Sequence, residues 1–358
     1  MNTVYLNKIL TLLDSDALLI QPSFELKLLT GFSPMLCERF QGLFLKKNGE
    51  MFYLCEDLYV DELENAYKGE IPIRRYHDNE GMPKVYEILK KEGLHHSKIA
   101  LNSSAQAFNC FDIAHSCDID FVNGKALLEE ARIRKTHEEL DLLRHSASIA
   151  DAAFEEVCRF ARPGILEEDV RQLIYRVMES KGGTDFEAIV GSGPKSSYPH
   201  YMGGSRIIEQ GDAIVLDWGC KYKGYLSDTS RTIFVGEVSD KQKEVYNLVN
   251  EAQRKAELLV KEGAWIPDLD RTAREALGEY APTLSSRVGH GIGVSVHEGP
   301  YINQLNERTL ERGMAFSIEP GIYLKDEFGV RIENINIVNE DGDGEVLNKS
   351  DRSLRVIL

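Results

Sequence analysis

The stretch from Gly289 to Asn334 constrains this chain more than any other. It holds three short motifs, GHGIG, FSIEPG and VRIEN, and each sets one candidate metal ligand among glycines or apolar residues: His290, Glu319 and Glu333. Burying an ionised carboxylate without a partner costs several kcal/mol, so such residues usually pair, shift their pKa or bind a metal ion. One histidine and two glutamates do not make a site alone, so further ligands must lie upstream.

Two aspartates upstream complete the candidate set. Asp217 lies in VLDWG and Asp228 in YLSDTSRT, and the segment KYKG between them has the composition of a turn. The two flanking strands should therefore pair antiparallel, which places facing residues about 5 Å apart. Two like charges at that distance are destabilising unless a cation lies between them. The same argument applies to Glu319 and Glu333 on a second pair of strands.

Taken singly, each of these carboxylates is more often a cap or turn residue than a ligand. Four carboxylates and one glycine-flanked histidine, at corresponding points of two similar segments, are harder to explain in that way. The set exceeds the three protein ligands of a usual catalytic zinc site. It suits two divalent ions bridged by carboxylates, manganese or cobalt ahead of copper or nickel. Such a centre can hold a hydroxide nucleophile and polarise a carbonyl group.

Bulk composition narrows the classes of function. A chain of 358 residues suggests two domains, and a net charge of −16 argues against general binding to nucleic acid or to an anionic membrane. The six cysteines include no Cys-x-x-Cys pair, which argues against a zinc ribbon or a redox motif. No secretory signal and no membrane-spanning run is apparent. We therefore predict a cytoplasmic protein.

The order of predicted elements indicates two domains, an α/β domain over residues 1–125 and a second domain over 126–358. Thr136 and Glu139 form a capping-box pattern that begins a long amphipathic helix. A shorter helix and a pair of strands follow, and the same order then returns, ending in predicted strands at 314–323 and 329–338. This recurrence suggests an internal duplication with pseudo-twofold symmetry.

The motifs LDWG, GYLSDTSRT, GHGIG, FSIEPGIY and GVRIEN resemble those of the M24 metallopeptidases, and most closely those of Xaa-Pro dipeptidases (prolidases) and Xaa-Pro aminopeptidases. The resemblance implies an α/β N-terminal domain followed by an α+β pita-bread (creatinase/aminopeptidase) domain with pseudo-twofold internal symmetry. It also implies a metallopeptidase that cleaves the bond before proline in dipeptides or short peptides. Two divalent metal ions are implied as cofactors, manganese or cobalt, with zinc as an alternative.

The resemblance assigns a role to each candidate residue. Asp217 would bind one metal ion, Asp228 and Glu333 would bridge both, and His290 and Glu319 would hold the other. Glu319 would also act as the general base. Three further residues match the family's auxiliary positions, His200 as a substrate contact, His297 as the group that stabilises the gem-diolate intermediate, and Arg331 as an orienting residue.

The motifs are compatible with more than one function. Asn334 and Ser230 stand where the family often has aspartate and threonine, which could alter hydrogen bonds around the ligands. The dipeptidase is favoured, but an Xaa-Pro aminopeptidase acting on longer peptides and a non-catalytic pita-bread binding protein are both compatible with the motifs. A nucleotide-binding enzyme is disfavoured, because GSGP and GHGIG do not match the phosphate-binding patterns. The family's N-terminal domain commonly lines a dimer interface, so a homodimer is expected.

Overall fold

The boundary between the two parts of the molecule lies later than the sequence suggests. The computed structural model describes residues 1–358, which divide into two compact units, Met1–Arg132 and Ile133–Leu358. The predicted boundary at 125/126 falls at the start of helix α6 (Lys125–Arg132). Leu128 and Ala131 of this helix are buried in the apolar core of the first unit, so the whole helix belongs to that unit.

The first unit is built on a mixed six-stranded sheet of strand order β4-β3-β2-β1-β5-β6. Asn48 and Gly49 form the turn of the β2–β3 hairpin, and Gly49 has the positive φ of 89° that such a turn requires. The strands are β1 (Ala17–Ile20), β2 (Gly42–Lys46), β3 (Met51–Glu56), β4 (Ile73–Tyr76), β5 (Lys98–Leu101) and β6 (Asp120–Asn123). The helices that cover them, besides α6, are α1 (Thr3–Leu12), α2 (Phe24–Thr30), α3 (Val60–Tyr67), α4 (Gly81–Lys91) and α5 (Ala107–Cys117).

The second unit consists of two halves of similar construction. In the first half, two helices pack on a sheet whose strand order is β18-β10-β8-β7, with β9 paired to β8. Strand β18 runs parallel to β10, and the other pairs are antiparallel. The capping box predicted at Thr136 and Glu139 is present at the start of α7. The elements of this half are α7 (His137–Phe160), α8 (Glu167–Ser180), β7 (Thr184–Ser192), β8 (Ala213–Tyr222), β9 (Tyr225–Leu226), β10 (Thr229–Val235) and, from the end of the chain, β18 (Arg355–Ile357).

The second half repeats this arrangement with a sheet of order β12-β11-β13-β16-β17 and a separate two-stranded ribbon of β14 and β15. A large apolar core joins its two helices to the strands. Its elements are α9 (Asp240–Glu257), α10 (Ile266–Leu277), β11 (Gly289–Gly291), β12 (Glu298–Ile302), β13 (Ala315–Ile318), β14 (Gly321–Leu324), β15 (Phe328–Arg331), β16 (Asn334–Val338) and β17 (Gly344–Val346). None of the helices in the molecule is both long enough and apolar enough to cross a membrane.

The two strands predicted at 314–323 and 329–338 are each broken in the middle. The first divides into β13 and β14 at Glu319-Pro320, and the second divides into β15 and β16 at Ile332-Glu333. Proline cannot donate a hydrogen bond to a strand partner, which explains the first break. The second break lies opposite the first, since Ile318 pairs with Asn334 and Gly321 with Arg331. Both candidate glutamates therefore lie where one sheet passes into another.

Candidate metal centre

A hairpin brings the two candidate aspartates together, as the sequence predicts. Strands β8 and β10 pair antiparallel with Asp217 opposite Ser230. Asp228 lies one residue before β10 begins, next to the paired segment. The turn is made by Lys223 and Gly224, with φ of 48° and 95°. The two carboxyl groups lie close enough to share a hydrogen bond.

The two glutamates come from the second half. Ile318 and Asn334 are cross-strand partners, so Glu319 and Glu333, one residue beyond, face each other across the break between the sheets. Glu333 also joins the two halves, because its backbone N–H donates to the carbonyl oxygen of Ser230 at 3.0 Å. The Ser230 hydroxyl in turn donates to Glu333 Oε2 at 2.7 Å. Carboxylates from both halves therefore converge on one point.

His290 sits between glycines because its strand is packed against its neighbours at backbone distance. A Cβ atom on Gly289 would lie 1.9 Å from the carbonyl oxygen of Ser317, and one on Gly291 would lie 2.1 Å from that of Gly299. The imidazole Nδ1 lies 3.1 Å from the carbonyl oxygen of Gly291. Since a carbonyl oxygen only accepts, Nδ1 carries a proton, and Nε2 faces the carboxylates.

The donor atoms at this point fit a divalent cation. His290 Nε2 lies 3.1 Å from Glu319 Oε1 and 3.6 Å from Asp228 Oδ2. One ligand atom from each of Asp228, His290 and Glu333 lies within 4.8 Å of the other two. Glu333 Oε1 is buried and has no hydrogen-bond partner in the protein. A group of acceptors turned towards one another, with one of them unpartnered, is the arrangement that a bound cation satisfies.

The pKa shifts of the carboxylates also fit a cation site. Burial raises the pKa of Asp228 well above its usual value, and the neighbouring carboxylates raise it further. The pKa of Glu333 is raised for the same two reasons. Glu319 differs: burial acts against ionisation, but the hydrogen bond to His290 and the charges of His290 and Arg331 outweigh it and lower its pKa. Of these three carboxylates, Glu319 is therefore the one that ionises most readily.

Arg331 organises the polar groups around the carboxylates. Its buried guanidinium forms an ion pair with Asp217 at 2.5 Å and donates to the Ser230 hydroxyl at 2.9 Å. It also donates to the Tyr323 hydroxyl at 2.8 Å. Arg331 thus contacts the ligand candidate Asp217 directly, and Ser230 links it to Glu333.

Sequence reasoning missed two members of this network, Ser317 and Tyr323. Ser317 Oγ accepts from the backbone N–H of His290 at 3.1 Å and donates to Glu319 Oε1 at 3.1 Å. Its position two residues before Glu319, on the same face of a strand, could have indicated it. Tyr323 gave no such signal, because its role depends on the ribbon of β14 and β15 that brings it to Arg331.

The centre opens into a cavity of about 1010 Å³. His200 and His297 both line it, together with His290, Glu319 and Arg331. The ring of His297 lies edge-on to that of His290, with centroids 4.3 Å apart. Partial burial, His290 and Arg287 together lower the pKa of His297 to about 4. His297 is therefore neutral at physiological pH and can donate a hydrogen bond without carrying a charge.

A buried ion pair holds the segment that carries His297. The next residue, Glu298, is buried and forms an ion pair with the equally buried Lys135 at 2.8 Å.

All eight residues singled out from the sequence lie at the centre or along its cavity. They are Asp217, Asp228, His290, Glu319, Glu333, His200, His297 and Arg331.

The sequence of this chain matches a known protein family. The model of metallopeptidase family M24 matches residues 141–340, more than half of the chain. The chain belongs to the M24 metallopeptidases. Members of this family use divalent metal ions, and the donor set described above is consistent with that use.

Individual relatives of the M24 family match almost the whole chain. The Xaa-Pro dipeptidase of Pyrococcus horikoshii is 32% identical over 347 residues, which cover 95% of this chain and 94% of that protein. A solved dipeptidase structure from the same organism superposes with a TM-score of 0.91 at 35% identity and covers 99% of this chain and 100% of its own. The X-Pro aminopeptidase of Thermotoga maritima gives a TM-score of 0.80 at 28% identity, covering 96% of each chain. The fold is therefore that of the pita-bread M24 enzymes, and the protein is a metallopeptidase.

Proposed function

We propose that this M24 enzyme hydrolyses the peptide bond before proline in dipeptides, with two divalent ions bound by Asp217, Asp228, His290, Glu319 and Glu333. The observation that carries the proposal is the convergence of donor atoms from both halves on one point, with Glu333 Oε1 buried and unpartnered. Manganese or cobalt suits carboxylate-rich sites with one imidazole, with zinc as an alternative. When bound, such ions polarise the scissile carbonyl and lower the pKa of a water molecule.

The residues around the centre divide the remaining work. Glu319, whose pKa is lowered, accepts the proton of the attacking water and returns it to the proline nitrogen as the bond breaks. His297, neutral at physiological pH, donates a hydrogen bond to the oxygen on which charge develops. His200 lines the same cavity and contacts the substrate. Arg331 holds Asp217 in place and supports Glu333 through Ser230.

Proline substrates need a dedicated enzyme because the bond before proline is a tertiary amide without an N–H group. The names of the relatives point to this chemistry, and they include both dipeptidases and an aminopeptidase. The dipeptidase is favoured here, and the aminopeptidase is the second candidate, supported by the likeness to the Thermotoga maritima structure. A homodimer and a cytoplasmic location complete the proposal.

Hydrolysis of Ala-Pro and of Ala-Pro-Ala, measured side by side on chelator-treated protein with and without added manganese or cobalt, tests the proposal. Metal-dependent cleavage of Ala-Pro alone supports the dipeptidase. Release of alanine from the tripeptide supports the aminopeptidase instead. If neither peptide is cleaved although metal is bound, the proposed reaction is wrong and a binding protein becomes the better account.

A further inference from the structure

Two charged side chains that do not line the cavity are enclosed in the second unit. The side chains of Lys135 and Glu298 are 2% and 1% exposed, and Lys135 Nζ lies 2.8 Å from Glu298 Oε1. Lys135 lies just before helix α7, and Glu298 is the first residue of β12. Taking two charges out of water costs about as much as their attraction returns, so a buried ion pair adds little to stability. The pair therefore needs an explanation other than stability.

The pair lies against the loop that joins His290 to His297. A Cβ atom on Gly293 of this loop would be 2.5 Å from Glu298 Oε1 and 3.0 Å from Lys135 Cε. The backbone of the loop is thus in direct contact with the ion pair, at a point where a larger residue would not fit. The loop has no room to move towards the pair.

Lys135 is itself fixed at both ends. Its backbone N–H donates to the carbonyl oxygen of Gly313 at 2.8 Å. A Cβ atom on Gly313 would lie 2.5 Å from the Lys135 carbonyl oxygen, so the two backbones are closely packed. The Lys135 ammonium also donates to the carbonyl oxygen of Ile133 at 3.4 Å. Lys135 therefore offers Glu298 a partner at a defined position.

His297 and Glu298 are adjacent in the chain but have opposite surroundings. The ring of His297 lines the cavity, whereas the side chain of Glu298 is enclosed. Neighbouring side chains of an extended segment point to opposite sides, so fixing Glu298 on one side determines where the imidazole lies on the other. Glu298 also pairs with Gly291 of β11, next to His290. The same contact therefore holds the two rings at their separation of 4.3 Å.

We propose that Lys135 and Glu298 are positioning residues, which hold the His297 imidazole where it can donate to the oxygen of the reacting carbonyl group. The inference rests on the proposed function and goes beyond it, because neither residue lines the cavity. A displacement of about 1 Å at a catalytic group can lower the rate on the order of 100-fold. A small shift of the loop would therefore be enough to lower turnover.

The test replaces both charges at once, because a single substitution would leave the other charge buried without its partner. Lys135→Met/Glu298→Met, here called the methionine pair, substitutes two unbranched apolar side chains that adapt to the space. Its midpoint of urea unfolding and its metal content should stay close to those of the wild type. Its kcat for Ala-Pro should nevertheless fall about 10- to 100-fold, and KM should change by less than about 3-fold.

A second variant, Lys135→Gln/Glu298→Gln, keeps a hydrogen bond between the two positions without the charges. Its kcat should lie between those of the wild type and the methionine pair, because the loop is still held. If the methionine pair does not fold, this variant carries the test. Wild-type kcat in a folded methionine pair would overturn the proposal.

His297→Ala shows whether the pair acts through His297. When the methionine pair is added to His297→Ala, kcat should fall by less than about 2-fold further, because the group that the pair positions is already absent. A further loss of about 10-fold or more would show that the pair acts elsewhere and would overturn the proposal.

Arg144 and Glu345 provide a matched control. They form an ion pair at 2.7 Å between α7 and β17 of the same unit, and neither lines the cavity. Arg144→Met/Glu345→Met also removes one charge of each sign and should leave kcat within about 2-fold of the wild type. An equal loss of kcat in the control and in the methionine pair would show that loss of any ion pair lowers turnover, which contradicts the proposal.

Crystal structures separate this inference from the proposed reaction, because they need no turnover. In the metal-loaded methionine pair, the His297 ring should be displaced from His290 by about 1 Å or more relative to the metal-loaded wild type. A ring in the wild-type position overturns the positioning role. If the wild type cleaves no Xaa-Pro peptide, the proposed reaction is wrong, whereas a displaced ring still supports the positioning of His297.

Discussion

The two halves of the second unit deliver their carboxylates to the centre in different ways. In the first half, β8 runs unbroken through Asp217, and a tight turn at Lys223-Gly224 returns the chain to Asp228. In the second half, each strand stops at its glutamate and continues in another sheet. A short aspartate from a regular hairpin and a longer glutamate from a strand break thus reach the same point. The comparison shows that duplicated architecture does not require duplicated local geometry.

The largest expected effect comes from removing one bridging candidate from each half. Asp228→Asn and Glu333→Gln each replace a buried carboxylate of the cluster by a neutral amide, so both variants should lose bound metal and show no measurable hydrolysis. Metal content by elemental analysis and turnover of Ala-Pro are the readouts. Near-equal losses would establish that the halves contribute equally, and full turnover in either variant would refute its assignment.

His297 lines the cavity but is not part of the carboxylate cluster, so its removal should affect turnover and not metal binding. His297→Ala should lower kcat about 10²- to 10³-fold, the usual effect of losing a donor to a developing oxyanion. Metal content should stay close to that of the wild type. If the variant instead loses its metal, His297 acts as a ligand and the division of roles proposed here is wrong.

The raised pKa values of Asp228 and Glu333, one from each half, predict how the metal-free protein responds to pH. Since the folded state binds these protons more tightly than the unfolded state, the stability of the apo-protein should fall as pH rises from about 5 to 8. Added metal should displace protons and reverse the loss. Thermal melting with and without manganese checks this, and calorimetry in two buffers of different ionisation enthalpy counts the released protons. An apo-protein that gains stability over this range would contradict the assignment.

The smallest expected effect concerns Asn334, at the junction of the two halves. Asn334 donates to Glu257 Oε1 at 2.8 Å and accepts from Arg231 at 2.9 Å. Asn334→Asp would replace the donor by a second carboxylate facing Glu257 and should lower the free energy of unfolding by about 1 kcal/mol at pH 8, and by less at pH 5.

Asn339→Asp is the matched control for this change. Asn339 Oδ1 accepts from two backbone N–H groups, at Asp341 and Asp343, and an aspartate can do the same. Urea unfolding of both variants gives the comparison. A stable Asn334→Asp protein would mean that Arg231 outweighs Glu257 at this position.

The first half of the centre was predictable because its signals are local. The segment KYKG has the composition of a turn and lies between two predicted strands, so a hairpin is expected. The hairpin places Asp217 and Asp228 together. In the second half, the sequence around Glu319 and Glu333 reads as two continuous strands, and only Pro320 marks a break. The two glutamates were still singled out as candidate ligands, because each lies in a run that is otherwise apolar.

What the sequence did not reveal depends on residues far apart along the chain. Helix α6 extends the first unit to Arg132 through packing that no local pattern specifies. The contact of Arg331 with Asp217 and the stacking of Arg287 on Tyr301 likewise arise only when separate segments fold together. Local patterns thus indicated the candidate site residues, whereas tertiary packing determined what surrounds them.

The bond from Ser230 to Glu333 spans 103 residues of the chain. Closing so long a loop carries an entropic cost that must be met before the bond can form, and contacts of this kind slow folding. Neither half can assemble the centre while the other remains unfolded. The capacity to bind metal should therefore arise late in folding and all at once, so that metal uptake reports completion of the whole second unit.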